Sequence, residues 1–132
     1  SMLSHLECSE GLLKMAPGYS EFEETAGNIS GLAPGMAENF AIYNHAASFA
    51  VYALFKAGRN EEALRVMSKI LPFTKDWKKT KAEPYVLVNF YNGGFYEEKK
   101  GTGGISWLTG TVNWLSMSLH DFILPQNLDI SF

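Results

Sequence analysis

The chain has 132 residues and a formal net charge of −3; 46% of its residues are hydrophobic, with nine Phe, six Tyr and three Trp. This predicts one domain with a real core and excludes a disordered chain, while the sparse Lys and Arg leave no basic footprint for nucleic acid. No apolar run approaches the ~20 residues of a membrane span and no secretion signal is visible; the single cysteine, Cys8, excludes an internal disulfide framework and fits a reducing, cytoplasmic setting.

Residues 1–15 read as a short, partly apolar helix (Leu3, Leu6, Leu12, Leu13, Met15) weakened by Gly11. In residues 16–35, Pro17-Gly18, Gly27-Asn28 and Pro34-Gly35 are turn signals. Tyr19, Phe22, Ile29 and Leu32 predict that this loop packs down onto the protein. Residues 39–57 carry the strongest helix pattern. Ile42, Ala46, Phe49 and Ala53 form one stripe and Tyr43, Ala47, Ala50 and Leu54 a second beside it, which predicts burial on more than one side. Gly58 suits the position after the helix end, and Asn60 suits the cap of a second helix with Glu61 and Glu62 in its first turn. That helix is amphipathic, with Ala63, Val66, Met67 and Ile70 facing inward, and Pro72 ends it. The pair reads as an inner and an outer helix joined by a tight turn.

Lys75, Lys78, Lys79 and Lys81 mark a solvated connection, with a phosphate-binding basic patch as the alternative. Residues 85–91 are β-prone and bounded by Pro84 and Asn92-Gly93-Gly94, predicting a short strand or extended segment. Gly101, Gly103 and Gly104 predict a second flexible stretch. A last helix is expected over 110–124, with Thr109 as N-cap, Leu115, Leu119 and Phe122 as its buried stripe, and Pro125 as its stop.

Three constellations carry chemistry. Glu38 and His45 are seven residues apart, so on one helix they would fall within roughly 20° of each other. A polar pocket is one reading; a core histidine bonded to backbone or to Glu38 is the other. Thr109-Gly110-Thr111 at a helix start offers unpaired N–H groups, a hydroxyl and close backbone access, which suit an anion; a simple cap is the alternative. Tyr43, Tyr85, Tyr91, Trp107 and Trp114 bunch beside glycine-rich loops, as sugar-stacking faces or as core. Zinc-type spacing, a P-loop and Gly-x-Ser-x-Gly are all missing, and no metal site is expected.

Pro34-Gly35-Met36-Ala37-Glu38-Asn39 followed by Ile42-Tyr43-Asn44-His45-Ala46-Ala47 resembles a signature of the inverting β-glycoside phosphorylases of glycoside hydrolase family 94. That family includes cellobiose, chitobiose and cellodextrin phosphorylases. Glu83-Pro84-Tyr85-Val86 and Trp107-Leu108-Thr109-Gly110-Thr111-Val112-Asn113-Trp114 resemble two further blocks in the same order. Ala16-Pro17-Gly18-Tyr19 and Gly27-Asn28-Ile29-Ser30-Gly31 resemble the segment ahead of the Glu-Asn block.

The resemblance implies a mainly all-α chain: a partial (α/α)6 barrel with a short extended segment around 85–91. Residues 1–132 would be a single fragment, the C-terminal portion of a catalytic barrel. It implies cleavage of β-linked di- or oligosaccharides by inorganic phosphate, a co-substrate needing no cofactor, to a sugar 1-phosphate with inversion. His45, Thr109 and Gly110 map onto phosphate contacts and Glu38 onto the donor sugar; Tyr43 and Trp107 are the aromatic candidates for substrate contact. The family's general acid, an Asp, lies upstream of the Glu-Asn block and outside this chain. Phe40-Ala41 stands where many members have Gly-Gly, and Met36 where some have Lys. A piece of a closed barrel would expose inner-helix surface and self-associate. The alternatives are a stand-alone helical carbohydrate-binding or interaction domain, and a fragment of a water-using (α/α)6 hydrolase.

Overall fold

A computed structural model of the chain describes residues 1–94 and 96–127. Helix α1 covers only Met2–Leu6. The expected helix over 1–15 stops there because the chain folds back on itself: Cys8 N–H donates to Gly11 O at 2.9 Å, and Leu12 and Leu13 bridge to Glu7 and Ile42. Residues 16–35 form the expected ordered loop, interrupted by the single turn α2 (Asn28–Gly31).

Asn39 then decides where the long helix can begin. Its fully buried carboxamide accepts the Tyr19 N–H (2.8 Å) and donates to Tyr19 O (2.9 Å) and Leu32 O (2.8 Å). Ala37 and Phe40 on either side sit in the left-handed region, at φ 44° and 64°, which a right-handed helix excludes. The helix expected over 39–57 therefore starts later. Ile42–Tyr43 is strand β1, and helix α3 spans Asn44–Lys56. Glu38 lies in the turn before β1, so the shared helix face with His45 does not exist.

A tight turn at Gly58 leads into α4 (Asn60–Ile70). Asn60 is already helical and does not cap; Arg59 occupies the cap position and pairs with Glu62 instead. Ala63, Val66, Met67 and Ile70 are buried as expected. After a 3-10 turn at Pro72–Thr74 comes α5 (Trp77–Thr80); Lys78, Lys79 and Lys81 are exposed, as expected of a solvated connection, though the segment carries helical turns. Lys75 is drawn inward: Nζ donates to Glu10 O at 2.7 Å and lies 4.5 Å from the Tyr91 ring centre, and burial pushes its pKa down.

The β-prone segment supplies β2 (Val88–Tyr91), and the supposedly flexible glycines supply β3 (Gly103–Ser106). The three strands form an antiparallel sheet in the order β1-β2-β3, with Ile42 opposite Tyr91 and Phe90 opposite Gly104. Gly104 is required here because the Phe90 ring occupies the space a side chain would fill.

Helix α6 (Thr111–Ser118) continues through one π-helical turn, Leu119–Ile123, into α7 (Leu124–Asn127). Pro125 does not end it: proline's fixed φ fits a right-handed helix, and the helix runs on to Asn127 at the cost of the hydrogen bond that the missing N–H cannot make. Leu115 is buried and Phe122 stacks on Phe55, whereas Leu119 is exposed. The main core gathers Val51, Leu54 and Phe55 of α3 with Val66 and Ile70 of α4 and Leu115 of α6; Ile42, Val88 and Tyr91 form a second, smaller cluster on the sheet. The structure is thus mainly helical with a small sheet, two of whose three strands the sequence reading did not anticipate. Among the described residues no helix is long and apolar enough to cross a membrane.

Two stability outcomes follow. Asn39→Ala removes three hydrogen bonds to half-buried backbone groups and is expected to lower unfolding free energy by about 2–3 kcal/mol in urea denaturation. Glu7 accepts two hydrogen bonds from Arg65, at 2.8 and 2.9 Å, and one from Lys69 at 2.8 Å. The Arg65 bonds, outweighing the opposing cost of burial and helped by Lys69, lower its pKa from 4.5 to about 2. A depressed carboxylate stabilises the fold above its unfolded pKa and loses that contribution as pH falls through the folded one. Stability should therefore decline from about pH 4.5 to about 2, and Glu7→Gln should flatten that limb of the melting-temperature profile.

Candidate functional site

The start of α3 and the start of α6 meet at one point. The His45 imidazole packs directly against Gly110: a Cβ placed on that glycine would lie 2.5 Å from His45 Nε2. From there the two helices stay in step. The His45 ring contacts Phe49 edge-on with centres 4.7 Å apart, and Phe49 meets Trp114 at 4.5 Å. Further along, Tyr52 touches Trp114 and Phe122, Tyr52 Oη donates to Asp121 at 2.9 Å, and Phe55 stacks on Phe122. Contacts that advance together along both helices mean α3 and α6 run side by side in the same direction. Their N-termini adjoin, and so do the partial positive charges and unpaired N–H groups there.

His45 is half-buried, and among the described residues its ring nitrogens make no hydrogen bond, so they are free to engage a ligand. Thr109, the expected cap, stands one residue outside Gly110, which holds the cap position; the Thr109 hydroxyl accepts the Thr111 N–H at 3.2 Å. Thr109 also lines an apolar cleft of about 220 Å³ together with Tyr85, Val86, Leu87, Trp107 and Val112. Trp107 and Tyr85 are 78% and 79% exposed, presenting open ring surface at its edge.

Two residues of the cleft wall, Tyr85 and Trp107, and the nearby Ile105 are held in an unusual backbone. Tyr85, Ile105 and Trp107 all have positive φ (69°, 51° and 68°), a conformation costly for side chains of this size. Glu83 fastens the Trp107 loop by accepting from Ser106 Oγ at 2.7 Å. That bond, with lesser contributions from backbone and from Trp107, holds the Glu83 carboxyl below its usual pKa.

The structure thus brings His45, Thr109 and Gly110 together, with Trp107 beside Thr109 in the same cleft. Of the expected site residues only Thr109 and Trp107 line that cleft; His45 and Gly110 meet beside it, and Glu38 and Tyr43 are not among its lining residues. Glu38 sits in the 36–39 turn, whose ends are bonded by Asn39 N–H to Met36 O at 2.9 Å. The Tyr43 ring lies under Lys14 Nζ, 5.0 Å from its centre. Sequence reasoning passed over Phe49 as the support of His45, although the i, i+4 spacing was the available signal. Thr111 stood in the expected Thr109-Gly110-Thr111 constellation, but not as a partner of Thr109: it is fully buried and its hydroxyl oxygen lies 2.5 Å from that of Thr109.

Residues 1–125 match the model of a family described as the glycosyl hydrolase 94 superfamily, catalytic domain. The chain is 32% identical over 121 residues to a solabiose phosphorylase of Paenibacillus borealis, covering 90% of the chain and 16% of the relative. It is 32% identical over 117 residues to a cellobionic acid phosphorylase of Neurospora crassa, covering 85% and 15%. It is 31% identical over 122 residues to an N,N′-diacetylchitobiose phosphorylase of Vibrio proteolyticus, covering 91% and 15%. The chain therefore spans only about 15% of the length of these relatives.

The His45–Gly110 contact is open to a double-mutant cycle. Gly110→Ala forces the imidazole aside and should cost about 1–2 kcal/mol of stability. In a His45→Ala background the same substitution should cost far less, because the space is then empty. Equal costs in both backgrounds, measured by chemical denaturation, would dissolve the contact.

Proposed function

Because the chain belongs to the glycosyl hydrolase 94 superfamily through its catalytic domain, we propose that it is the C-terminal portion of an (α/α)6 barrel in a β-glycoside phosphorylase. The observation that carries this reading is the meeting of His45 with Thr109-Gly110 at two adjoining helix N-termini. Two blocks remote in sequence converge on a place suited to an oxyanion. The barrel assignment draws support from the helix arrangement: α3 and α6 lie side by side in one direction, and α4 returns against α3 after a tight turn.

In this reading inorganic phosphate sits against His45, the Thr109 hydroxyl and the Gly110 backbone. A phosphate oxygen attacks the anomeric carbon of a β-linked sugar from the face opposite the leaving group. The C1–O bond to the acceptor sugar breaks, an α-configured sugar 1-phosphate forms, and an acid elsewhere in the barrel protonates the departing oxygen. Phosphate is already a nucleophile, so the catalytic base of an inverting hydrolase has no counterpart. Glu38 hydrogen-bonds donor-sugar hydroxyls, and Tyr43 and Trp107 offer ring faces to the sugar. The open apolar surface at Trp107, Leu108 and Val112 is covered by the rest of the barrel, and the chain alone self-associates through it.

The test is phosphorolysis of β-linked disaccharides (cellobiose and N,N′-diacetylchitobiose among them) by the full-length protein that contains this chain. His45→Ala should raise the phosphate KM roughly tenfold or more, in keeping with the loss of one hydrogen bond to a charged group. An unchanged phosphate KM would remove His45 from the site. Sugar release from those substrates with no requirement for phosphate would favour a hydrolase.

A further inference from the structure

We infer that Thr111 is a positioning residue, one that turns the Thr109 hydroxyl proton toward the ligand and makes Thr109 an obligatory donor; this rests on the phosphate reading above. Thr111 is fully buried, and its Oγ1 lies 2.5 Å from Thr109 Oγ1. Among the described residues that hydroxyl has no other hydrogen-bond partner. The Thr111 N–H also points at Thr109, donating to the same Oγ1 at 3.2 Å.

Counting protons settles the direction of the short bond. A hydroxyl has one proton and two acceptor positions. If Thr109 donated to Thr111, the Thr111 proton would be buried with no acceptor, an arrangement folded proteins avoid. Thr109 suffers no such restriction, because it lines the open cleft. Thr111 is therefore the donor. Its O–H fills one acceptor position of Thr109 Oγ1 and its N–H fills the other. Only the Thr109 proton is left, and it is available to a group in the cleft. An oxyanion accepts it, and the hydroxyl relay behind strengthens the bond by polarisation. A ligand offering only donors finds both lone pairs of Thr109 already taken. The selectivity of the site for an anion is thus set one layer below the residue that touches it.

The experiment is titration calorimetry of inorganic phosphate into the full-length protein that contains this chain, comparing wild type with T111V, T111S, T109V and the T109V/T111V double variant. T111V keeps the shape of the side chain and removes the hydroxyl; it should weaken phosphate binding about tenfold, the size of one lost hydrogen bond. T111S keeps the hydroxyl and should stay within about twofold of wild type. T109V should weaken binding at least as much as T111V, and the double variant no more than T109V, because Thr111 acts only through Thr109. Wild-type affinity in T111V beside a loss in T109V would overturn the inference and leave the phosphate site standing. An additive double variant would also overturn it. Unchanged affinity in T109V would remove the phosphate site itself and the inference with it. If T111V melts below the assay temperature, T111A takes its place in the same comparison.

Discussion

The buried amide of Asn39 is the constraint from which the rest of the structure follows. Three hydrogen bonds tie its side chain to the backbone at Tyr19 and Leu32, so the long loop ahead of it is closed onto the 36–39 turn. Those bonds could not survive a helix beginning at residue 39, which would carry the side chain away with the turn of the helix. The chain instead passes through a left-handed Phe40 into β1, where Ile42 and Tyr43 pair with Tyr91 and Phe90. Only then can α3 begin, at Asn44, whose own buried Nδ2 donates to Val88 O at 2.9 Å. Two asparagines thus fix the helix start from both sides. His45 comes out in the first turn of α3 instead of its middle, and only a first-turn residue can reach the start of a parallel neighbour.

Under the phosphate reading, that placement is what this chain contributes to holding the anion. Helices α3 and α6 run in the same direction, so their N-terminal ends add where they adjoin, each contributing roughly half a positive charge. No lysine or arginine borders the cleft beside Thr109. Three lysines are occupied elsewhere: Lys69 and Lys79 with Glu7 and Glu10, Lys75 with the Glu10 carbonyl and the Tyr91 ring. Peptide dipoles cannot move or reorganise as mobile ammonium groups do, so they favour an anion at one place and in one orientation.

Much of the helical framework was legible in the sequence because it rests on local signals. The amphipathic pattern of Ala63, Val66, Met67 and Ile70 located α4, and Gly58 located the turn before it. The readings that failed depend on partners remote in the chain. Ile42 and Tyr43 read as helix because their neighbours are alanines, and only pairing with β2 makes them a strand. Gly103 and Gly104 read as a flexible link because the aromatic ring that requires Gly104 lies in another strand. The site divides the same way. His45, Thr109 and Gly110 stood out by type and by block, and the structure joins them; Glu38 was linked to His45 through a helix that Asn39 forbids. Thr111 was named with Thr109 and Gly110 at the helix start, but its bond to Thr109 has no sequence pattern of its own and shows only once the two oxygens are seen side by side.

The strained rim of the cleft adds the last element. Tyr85 and Trp107 hold positive φ at its edge, and Glu83 anchors Ser106 between them through a hydrogen bond. Left-handed tyrosine and tryptophan cost stability that the fold recovers elsewhere, and nothing in the core requires either ring, since both stand largely in solvent. The strain aims the rings outward beside the anion-suited helix ends. Under the phosphorylase reading this division has a chemical logic. Phosphate must be held firmly yet keep an oxygen free to attack, and the neutral donors and helix dipoles of this chain supply part of that hold. The sugar must be gripped by its faces, which open aromatic rings provide. In that reading one small segment of chain carries two kinds of recognition, joined at Thr109, which lines the cleft with both rings and adjoins the Gly110 that packs on His45.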